Sequence, residues 1–583
     1  MGVFIFVLLG MVIYDLLPAA NAERLHEKVV EIRPVIMFRA TVKHRTGTTA
    51  AGDPIYGSGF DIIEMDITDR VTSWPALSMT KPRIPGDSTN PIQADTMRIR
   101  VMNPDGYFAA TADNTIIRPS DIHEGFVRVF ANIGTGTPVE FFNGRIQGLP
   151  IEGHGYTEFT AISTLWEAIR KPILYENWGV VSGNVQYLYA TTRDVLVGAV
   201  TITSAGRTFQ ALHGVATFDA SGNATPWAKR SGGGSIGLNQ VLIDGTTLRP
   251  GVYRIEFLDS ENYTVSFPNG AAFTAGNRYQ NNQAGNGIRF RSVDWTGTAE
   301  AGSVIEFQIS LTLYGNPVAI IYYLLERALL QNYGTPIGVT PSVKLDLPAF
   351  VTAATRFDGM PVHVTITNKD NAVWQRGKNA KPLNAATEAQ RIADHICSSL
   401  VMRSDGCISI RTPYIDDSPL WQATTAQHLT DSITIRPTEA TYNYLRIQYG
   451  YNPATGTYAA EVIGDYREAS TEDVIELVVS LPYLPLGVGD RHAEWVRDTI
   501  RRRHLRTQIE VDTAAIPQFG LPLLPGDFLR IVSANPGLSQ PCEVVRINTE
   551  IGSKAKLTLA AIQTPEGPKA EVCVGVVGSV GLW

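Results

Sequence analysis

Met97-Arg-Ile-Arg-Val101 places an apolar side chain at every second position, and one residue later the chain reads Asn103-Pro-Asp-Gly106. Alternation with period two is the signature of a strand with one buried face. The Asn-Pro-Asp-Gly run supplies the residues a tight turn demands. Upstream, Val35-Ile-Met-Phe38 and Phe60-Asp-Ile-Ile63 also read as strands, the second leading into Asp66-Ile-Thr-Asp69-Arg-Val71. Residues 82–91 form a Pro/Gly/Ser/Asn loop. Downstream, Val127-Arg-Val129 and Phe141-Phe142 add strands around a turn expected at Asn143-Gly144. The segment 161–171 (AISTLWEAIRK) has helical apolar spacing and stops before Pro172.

From residue 180 the texture changes: Gly, Asn and Ser rise, as in Ser231-Gly-Gly-Gly-Ser235. Val252-Tyr-Arg-Ile-Glu-Phe257 and Tyr263-Thr-Val-Ser-Phe267 alternate almost regularly, which predicts a separate small β-sandwich. Gly315-Asn-Pro317 then opens a helix, with Asn316 as N-cap and Pro317 at the first helical position. A second helix is predicted over about 385–401, stopping before Asp405-Gly406, and a third over about 490–504. Strands are predicted at Cys407–Arg411, Ser432–Arg436 and Tyr444–Gln448. The last strands, Asp527–Val532, Cys542–Ile547 and Lys556–Leu559, look like parts of a compact barrel.

The expected fold class is therefore mainly β with a few helices, a β-rich α+β chain. The expected units are an apolar N-terminal segment (1–28), a first β-barrel (29–179), an inserted β-sandwich (180–313), a helix-containing α+β domain (314–430), a second β-barrel (431–565) and an apolar C-terminal tail (566–583). The 583 residues fit several domains, at about 100–200 residues each. With 44% apolar and 18% charged residues, bulk disorder is excluded. The net charge of -7 argues against a nucleic-acid binder that works by neutralising phosphates. Residues 1–23 join an apolar run to Ala20 and Ala22 before Glu23, like a cleavable leader, but no Lys or Arg precedes the run and Asp15 interrupts it. A cleaved signal, an apolar helix packed in an assembly and a mis-chosen start stay open.

Motifs that could carry chemistry read as structural. Gly233-Gly-Ser235-Ile-Gly237 matches a nucleophile elbow, which needs a strand before it and a helix after it; here a loop precedes and a strand follows. His492 and His504 lie twelve residues apart on the third helix, about 18 Å, too far to share one metal, and are expected to face solvent or a partner. Asp66 with Asp69, and Asp416 with Asp417, read as turn-capping or solvated carboxylates. Arg497, Arg501, Arg502, Arg503 and Arg506 read as a solvated basic face, or as one that meets an acidic neighbour in an assembly. The insertion's aromatics (Tyr253, Phe257, Tyr263, Phe267, Phe273, Tyr279, Trp295) are expected mostly in the sandwich core, with a sugar-stacking platform as the alternative. Cys397, Cys407, Cys542 and Cys573 form no Cys-x-x-Cys pair and read as buried or incidental thiols. No catalytic, cofactor-binding or metal-binding residue is assigned.

Several blocks, in this order, resemble the tail-tip and baseplate hub proteins of long-tailed bacteriophages and gene transfer agents. They are Asp66–Val71 with Asn103-Pro-Asp-Gly-Tyr-Phe108; Arg118-Pro119, Val127–Val129 and Phe142-Asn-Gly-Arg-Ile146; Gly315-Asn-Pro317; the helix ending near Asp405-Gly406; and Leu524-Pro-Gly-Asp527 with the strands after it. In the insertion, Gly234–Gly237, Pro250–Phe257, Tyr263–Val265 and Pro268-Asn-Gly270 resemble small β-modules on phage virion proteins. The resemblance implies a virion protein of the tail tip, assembled in the host cytoplasm. It implies a homotrimeric ring that continues and closes the tail tube, takes part in host attachment and opens for DNA ejection. The implied partners are further copies of the chain, a distal tail protein, a tape-measure protein, other tail-tip or fibre proteins, the host surface and DNA in transit. Some such proteins hold a cysteine-ligated iron–sulfur cluster, but only two cysteines lie in the C-terminal portion here. The competing reading is a secreted multidomain β-rich glycan-binding protein or polysaccharide-active enzyme, favoured by the leader-like N-terminus and the aromatic insertion.

Overall fold

The computed structural model describes residues 32–80, 96–104, 125–163, 192–332, 344–366 and 384–561, together with Phe108 and Ile169, less shorter stretches inside these ranges. The chain is mainly β, as its sequence predicts. The first part supplies β1 (Ile32–Thr48), β2 (Pro54–Asp66), β3 (Val71–Thr80), β4 (Thr96–Met102), β5 (Phe126–Ile133), β6 (Val139–Ile146), β7 (Ile151–Gly153) and β8 (Tyr156–Ser163). The next supplies β9 (Thr192–Ser204), β10 (Arg207–Asp219), β11 (Ala228–Ser231), β12 (Gly237–Leu238), β13 (Leu242–Ile243), β14 (Gly251–Phe257), β15 (Asn262–Ser266), β16 (Gly276–Asn277), β17 (Asn282–Gln283), β18 (Ile288–Phe290), β19 (Trp295–Thr296) and β20 (Val304–Gly315). Then come α1 (Pro317–Asn332), α2 (Leu347–Arg356), β21 (Val362–Ile366), α3 (Ala385–Asp394), β22 (Ser399–Met402), β23 (Ile408–Arg411), β24 (Trp421–Thr424), β25 (Thr434–Thr438), β26 (Tyr444–Asn452), β27 (Thr457–Asp465), β28 (Glu476–Leu481) and α4 (Gly489–His504). The last strands are β29 (Gln508–Ala515), β30 (Phe528–Ala534), β31 (Gly537–Glu550) and β32 (Ala555–Ala561). No described helix is long and apolar enough to cross a membrane.

Among the described residues fourteen strands form one sheet, curled as a half-barrel, in the order β2-β1-β5-β6-β8-β4-β3-β31-β32-β29-β25, with β7 on β8, β30 on β31 and β24 on β30. The two segments expected to make separate barrels thus meet edge to edge. Their seam is antiparallel, from Ala76 opposite Glu550 to Thr80 opposite Arg546. The period-two pattern explains the burial: Met97, Ile99 and Val101 of β4 point into the core, while their neighbours along the strand are exposed. Phe38, Phe108 and Phe159 meet there with ring centroids 5.4–5.8 Å apart. Each such ring pair adds about 0.5–1.5 kcal/mol beyond burial. One apolar cluster runs through both segments, from Ile36 to Leu559.

Three expectations about local structure are corrected. Asn143-Gly144 is not a turn but lies inside β6, opposite Arg128 and Val127. Gly144 is small because a Cβ there would meet the Phe142 ring and come within 2.8 Å of the Ile162 carbonyl oxygen. Residues 161–163 do not begin a helix; they end β8, where Ala161 faces the core. The helix expected to reach 401 ends at Asp394, and the chain turns through Cys397, at φ 49°, into β22. Gln390 holds that turn: its amide donates to Asp394 and to the Ser398 carbonyl, and its oxygen accepts from Leu400 N–H.

β20 links the inserted segment to the helices. Its first half pairs with β11 and β14, and its second half with β10 and β21. The boundary expected between 313 and 314 therefore falls inside one strand. α1 follows directly, and Asn316 caps it as expected: its oxygen accepts from Val318 and Ala319 N–H, and its amide donates to the Ala354 carbonyl. Val318 to Leu325 are buried on every side, so α1 is a core helix, packed with α2, α3, β21, β22 and β23. The third helix, α4, runs as predicted and backs a separate three-stranded sheet, β27-β26-β28.

Candidate assembly surface

Among the described residues four strands of the long sheet pair on one side only, β2 with β1, β25 with β29, β24 with β30 and β7 with β8, and of these β2 and β25 end its main path. Such strands carry main-chain N–H and C=O groups suited to another chain. β25 is blunted: it is five residues long, contains Pro437, and ties Arg436 to Asp512. β2 is thirteen residues long, and its pairing with β1 shifts register between Lys43 and Gly47.

Two largely buried polar chains tie elements together. In the first, Arg403 pairs with Asp346 at 2.8 Å, Ser409 Oγ donates to Asp346 at 2.7 Å, Arg411 donates to Ser409 at 2.8 Å, and Arg411 Nε reaches Asp527 at 3.1 Å. Asp346 also caps α2 by accepting from Ala349 N–H. Asp527 belongs to the Leu524-Pro-Gly-Asp527 turn and accepts from Leu524 N–H. Burial pushes its carboxyl above the ordinary range, against the pull of Arg411. Gly526, at φ +92°, leaves the room that the Arg411 side chain occupies.

The second chain lies between α3 and α4. Tyr483 Oη donates to Glu388 at 2.6 Å, Arg391 donates to Glu388 at 2.7 Å, and the Tyr483 ring stacks on His395. His395 Nε2 accepts from Tyr483 N–H, which makes Nδ1 the protonated nitrogen that donates to the Arg391 carbonyl. Burial holds His395 down to about 3 and His492 down to about 4, and pushes Tyr483 well above its usual value. His492 Nε2 donates to the His395 carbonyl at 2.6 Å, while its Nδ1 is buried without a partner. With both nitrogens of His395 engaged and the group buried, this cluster is built to hold two helices together.

The sequence motifs fall as follows. His492 is 3% exposed, so the expectation that it faces solvent or a partner is corrected: the apolar side of α4 turns it inward. Ser235 lies in the turn between strands β11 and β12, so a strand and not a loop precedes the motif, and a strand, not the helix an elbow needs, follows it. It bridges to Thr298, accepting from its N–H at 3.1 Å and donating main chain to its carbonyl. Asp66 caps its own turn by accepting from Thr68 N–H. Phe257, Tyr263, Phe290 and Trp295 pack with centroids 5.0–5.9 Å apart, and the first three are buried. Tyr279 is exposed, and its neighbour Arg278 lies over its ring. Cys397 and Cys542 are buried and Cys407 is partly so. Arg497 pairs with Asp498, and Arg501 lies over the Tyr466 ring. Residues 1–28, Arg118-Pro119, the Asp405-Gly406 and Asp416-Asp417 pairs, Arg506, Cys573 and the 566–583 tail lie outside the described residues. The α3–α4 network was missed; Glu388, Arg391 and His395, three and four residues apart on one helix face, were its visible signal.

No family model matches the chain, and no curated protein matches it. Among solved structures it is similar to the prophage MuSo2 43 kDa tail protein from Shewanella oneidensis, at 7% identity and a TM-score of 0.35, over 91% of this chain and 98% of that one. It is similar to prophage tail protein gp18 from Listeria monocytogenes EGD-e, at 7% identity and a TM-score of 0.35, over 94% and 98%. It is similar to a chain of a native gene transfer agent virion at 13% identity and a TM-score of 0.28, over 66% and 89%.

Proposed function

We propose that this chain is a structural protein of a tailed-phage tail, placed at the tail tip as a hub. One observation carries the reading. The two halves of the chain that hold the hub-like sequence blocks join into one curled sheet whose terminal strands each keep an unpaired side among the described residues. In this reading sibling copies complete what a single copy leaves open, turning each half into a tube-forming barrel around a threefold ring. The 192–315 region forms a sandwich-like module outside the ring. The ring meets a distal tail protein on one side and fibre or tip proteins on the other, with the tape-measure protein and then DNA passing through. The protein's activity is assembly, and it is not an enzyme. Light scattering on the purified chain tests this: a mass of three chains that falls on dilution is expected, and a monomer at every concentration overturns it.

A further inference from the structure

Among the described aromatics of the inserted module, Phe257, Tyr263 and Phe290 are buried and Trp295 packs against all three, but Tyr279 is 59% exposed. A single tyrosine in water carries no meaning by itself. This one is braced at both ends. Its N–H donates to Asn277 Oδ1 at 2.9 Å, which pins the main chain in an Asx turn. Its Oη accepts from Arg278 Nη2 at 2.6 Å, and the guanidinium lies over the ring, 4.7 Å from the centroid. Arg278 is held in turn: Nη1 donates to the Gly297 carbonyl at 3.0 Å, and its main-chain N–H donates to the Glu261 carbonyl at 2.9 Å. Gly297, at φ +71°, is pressed so close to Ser235 that a Cβ there would meet the Ser235 carbonyl. Next to it, Ser235 Oγ and Thr298 Oγ1 lie 3.2 Å apart, both on exposed residues. Two features that packing leaves over, the tyrosine and the serine of the Gly233–Gly237 run, therefore meet through Gly297.

We propose that this end of the module binds a neutral glycan, with one sugar ring lying on the open face of Tyr279 and its hydroxyls meeting Ser235, Thr298 and the Tyr279 O–H. The surroundings select this occupant. A sugar ring offers an apolar C–H face to an aromatic and hydroxyls around its rim. Asn277, Arg278, Gly297, Ser235 and Thr298 match that pattern, and none of them offers a large apolar side chain to a protein partner. Arg278 is not open to clamp a phosphate or a carboxylate, because its Nε is buried and both terminal nitrogens are engaged. With its oxygen already accepting from Arg278, Tyr279 keeps its own proton to donate. A ring fixed before binding loses little freedom on binding, which favours affinity. The site does not depend on the assembly reading; in that reading it stands on the module outside the ring.

Saturation-transfer NMR on the full-length chain tests it, with neutral oligosaccharides of glucose, galactose, rhamnose and N-acetylglucosamine each added alone and an oligogalacturonate as the acidic control. Transfer to the C–H protons of at least one neutral sugar is expected. Tyr279→Ala should weaken that binding about tenfold or more while melting as the native chain does. Ser235→Ala with Thr298→Val should weaken it less. No response to any neutral sugar, or a response to the acidic control alone, overturns the proposal, as does native affinity in the Tyr279→Ala chain. Should that variant melt lower, Tyr279→Phe decides: it keeps the ring, so near-native binding is expected, and loss of binding overturns the stacking. None of these outcomes depends on the mass of the chain in solution, so the glycan site and the assembly reading fail separately.

Discussion

Gly144 shows what a single residue decides in this sheet. It sits in the middle of a strand, with its Cα pressed towards Phe142 of its own strand and the Ile162 carbonyl of the next. A methyl group there has to displace either a core ring or a strand backbone, and overpacking of this kind costs about 1–3 kcal/mol. Gly144→Ala should therefore lower the melting temperature by several degrees. Asn143→Ala, next to it on the half-buried side, should move it little. Equal melting of the two variants would show that the strand has slack that the packing denies. Asn-Gly is the strongest short turn signal there is, which is why the sequence pointed to a turn here. In this chain the glycine instead permits close approach of two strands, and only the tertiary neighbours Phe142 and Ile162 distinguish the two uses.

At the scale of elements, polar chains join the apolar clusters in setting how the helices meet their neighbours. His395 and His492 are buried neutral between α3 and α4. Their folded values, about 3 and about 4, lie below the ordinary histidine value of about 6.5. Above that value both folded and unfolded chains hold neutral rings, and the stability is intact. As pH falls below it, the unfolded chain takes up protons first, so stability drops by about 1.4 kcal/mol per pH unit for each histidine. Between pH 7.5 and 5 the pair should remove about 4 kcal/mol, read from urea unfolding, and His492→Asn should roughly halve that slope. A flat profile over this window would show that the rings charge without opening the contact. The other tie behaves differently. Arg411→Ala leaves Asp527 buried without its cation, which costs about 3–5 kcal/mol, whereas removing both side chains should recover much of the loss. Melting of the two variants separates a paired charge from mere packing: equal destabilisation would mean that the arginine acts only by filling space.

At the scale of the whole molecule, the sequence revealed strands far better than it revealed which strands join. Period-two runs such as Met97–Val101 and the capped start of α1 at Asn316 were readable because their causes are local, one in alternation and the other in a side chain reaching two residues along. The end of α3 was not, because the signal that stops it is Gln390 bonding across to Ser398 and Leu400. The union of the two segments into one sheet was also invisible, since it rests on residues 76–80 meeting residues 546–550, more than 460 positions away. That seam makes the last prediction. If the two segments share one core, as the unbroken apolar cluster from Ile36 to Leu559 indicates, neither completes itself. In the intact protein the amides of Ala76–Thr80 and Arg546–Glu550 should exchange with solvent slowly, as central ladder groups do. A fragment spanning residues 421–561 alone exposes the seam edge of β31 and loses its half of the shared core. It should exchange rapidly at 546–550 and melt well below the intact chain, and adding the 32–163 fragment should restore slow exchange at both sets of amides. Independent folding of the 421–561 fragment, with native melting and slow exchange along that edge, would divide the sheet into two finished domains and remove the physical reason for sibling copies to close it.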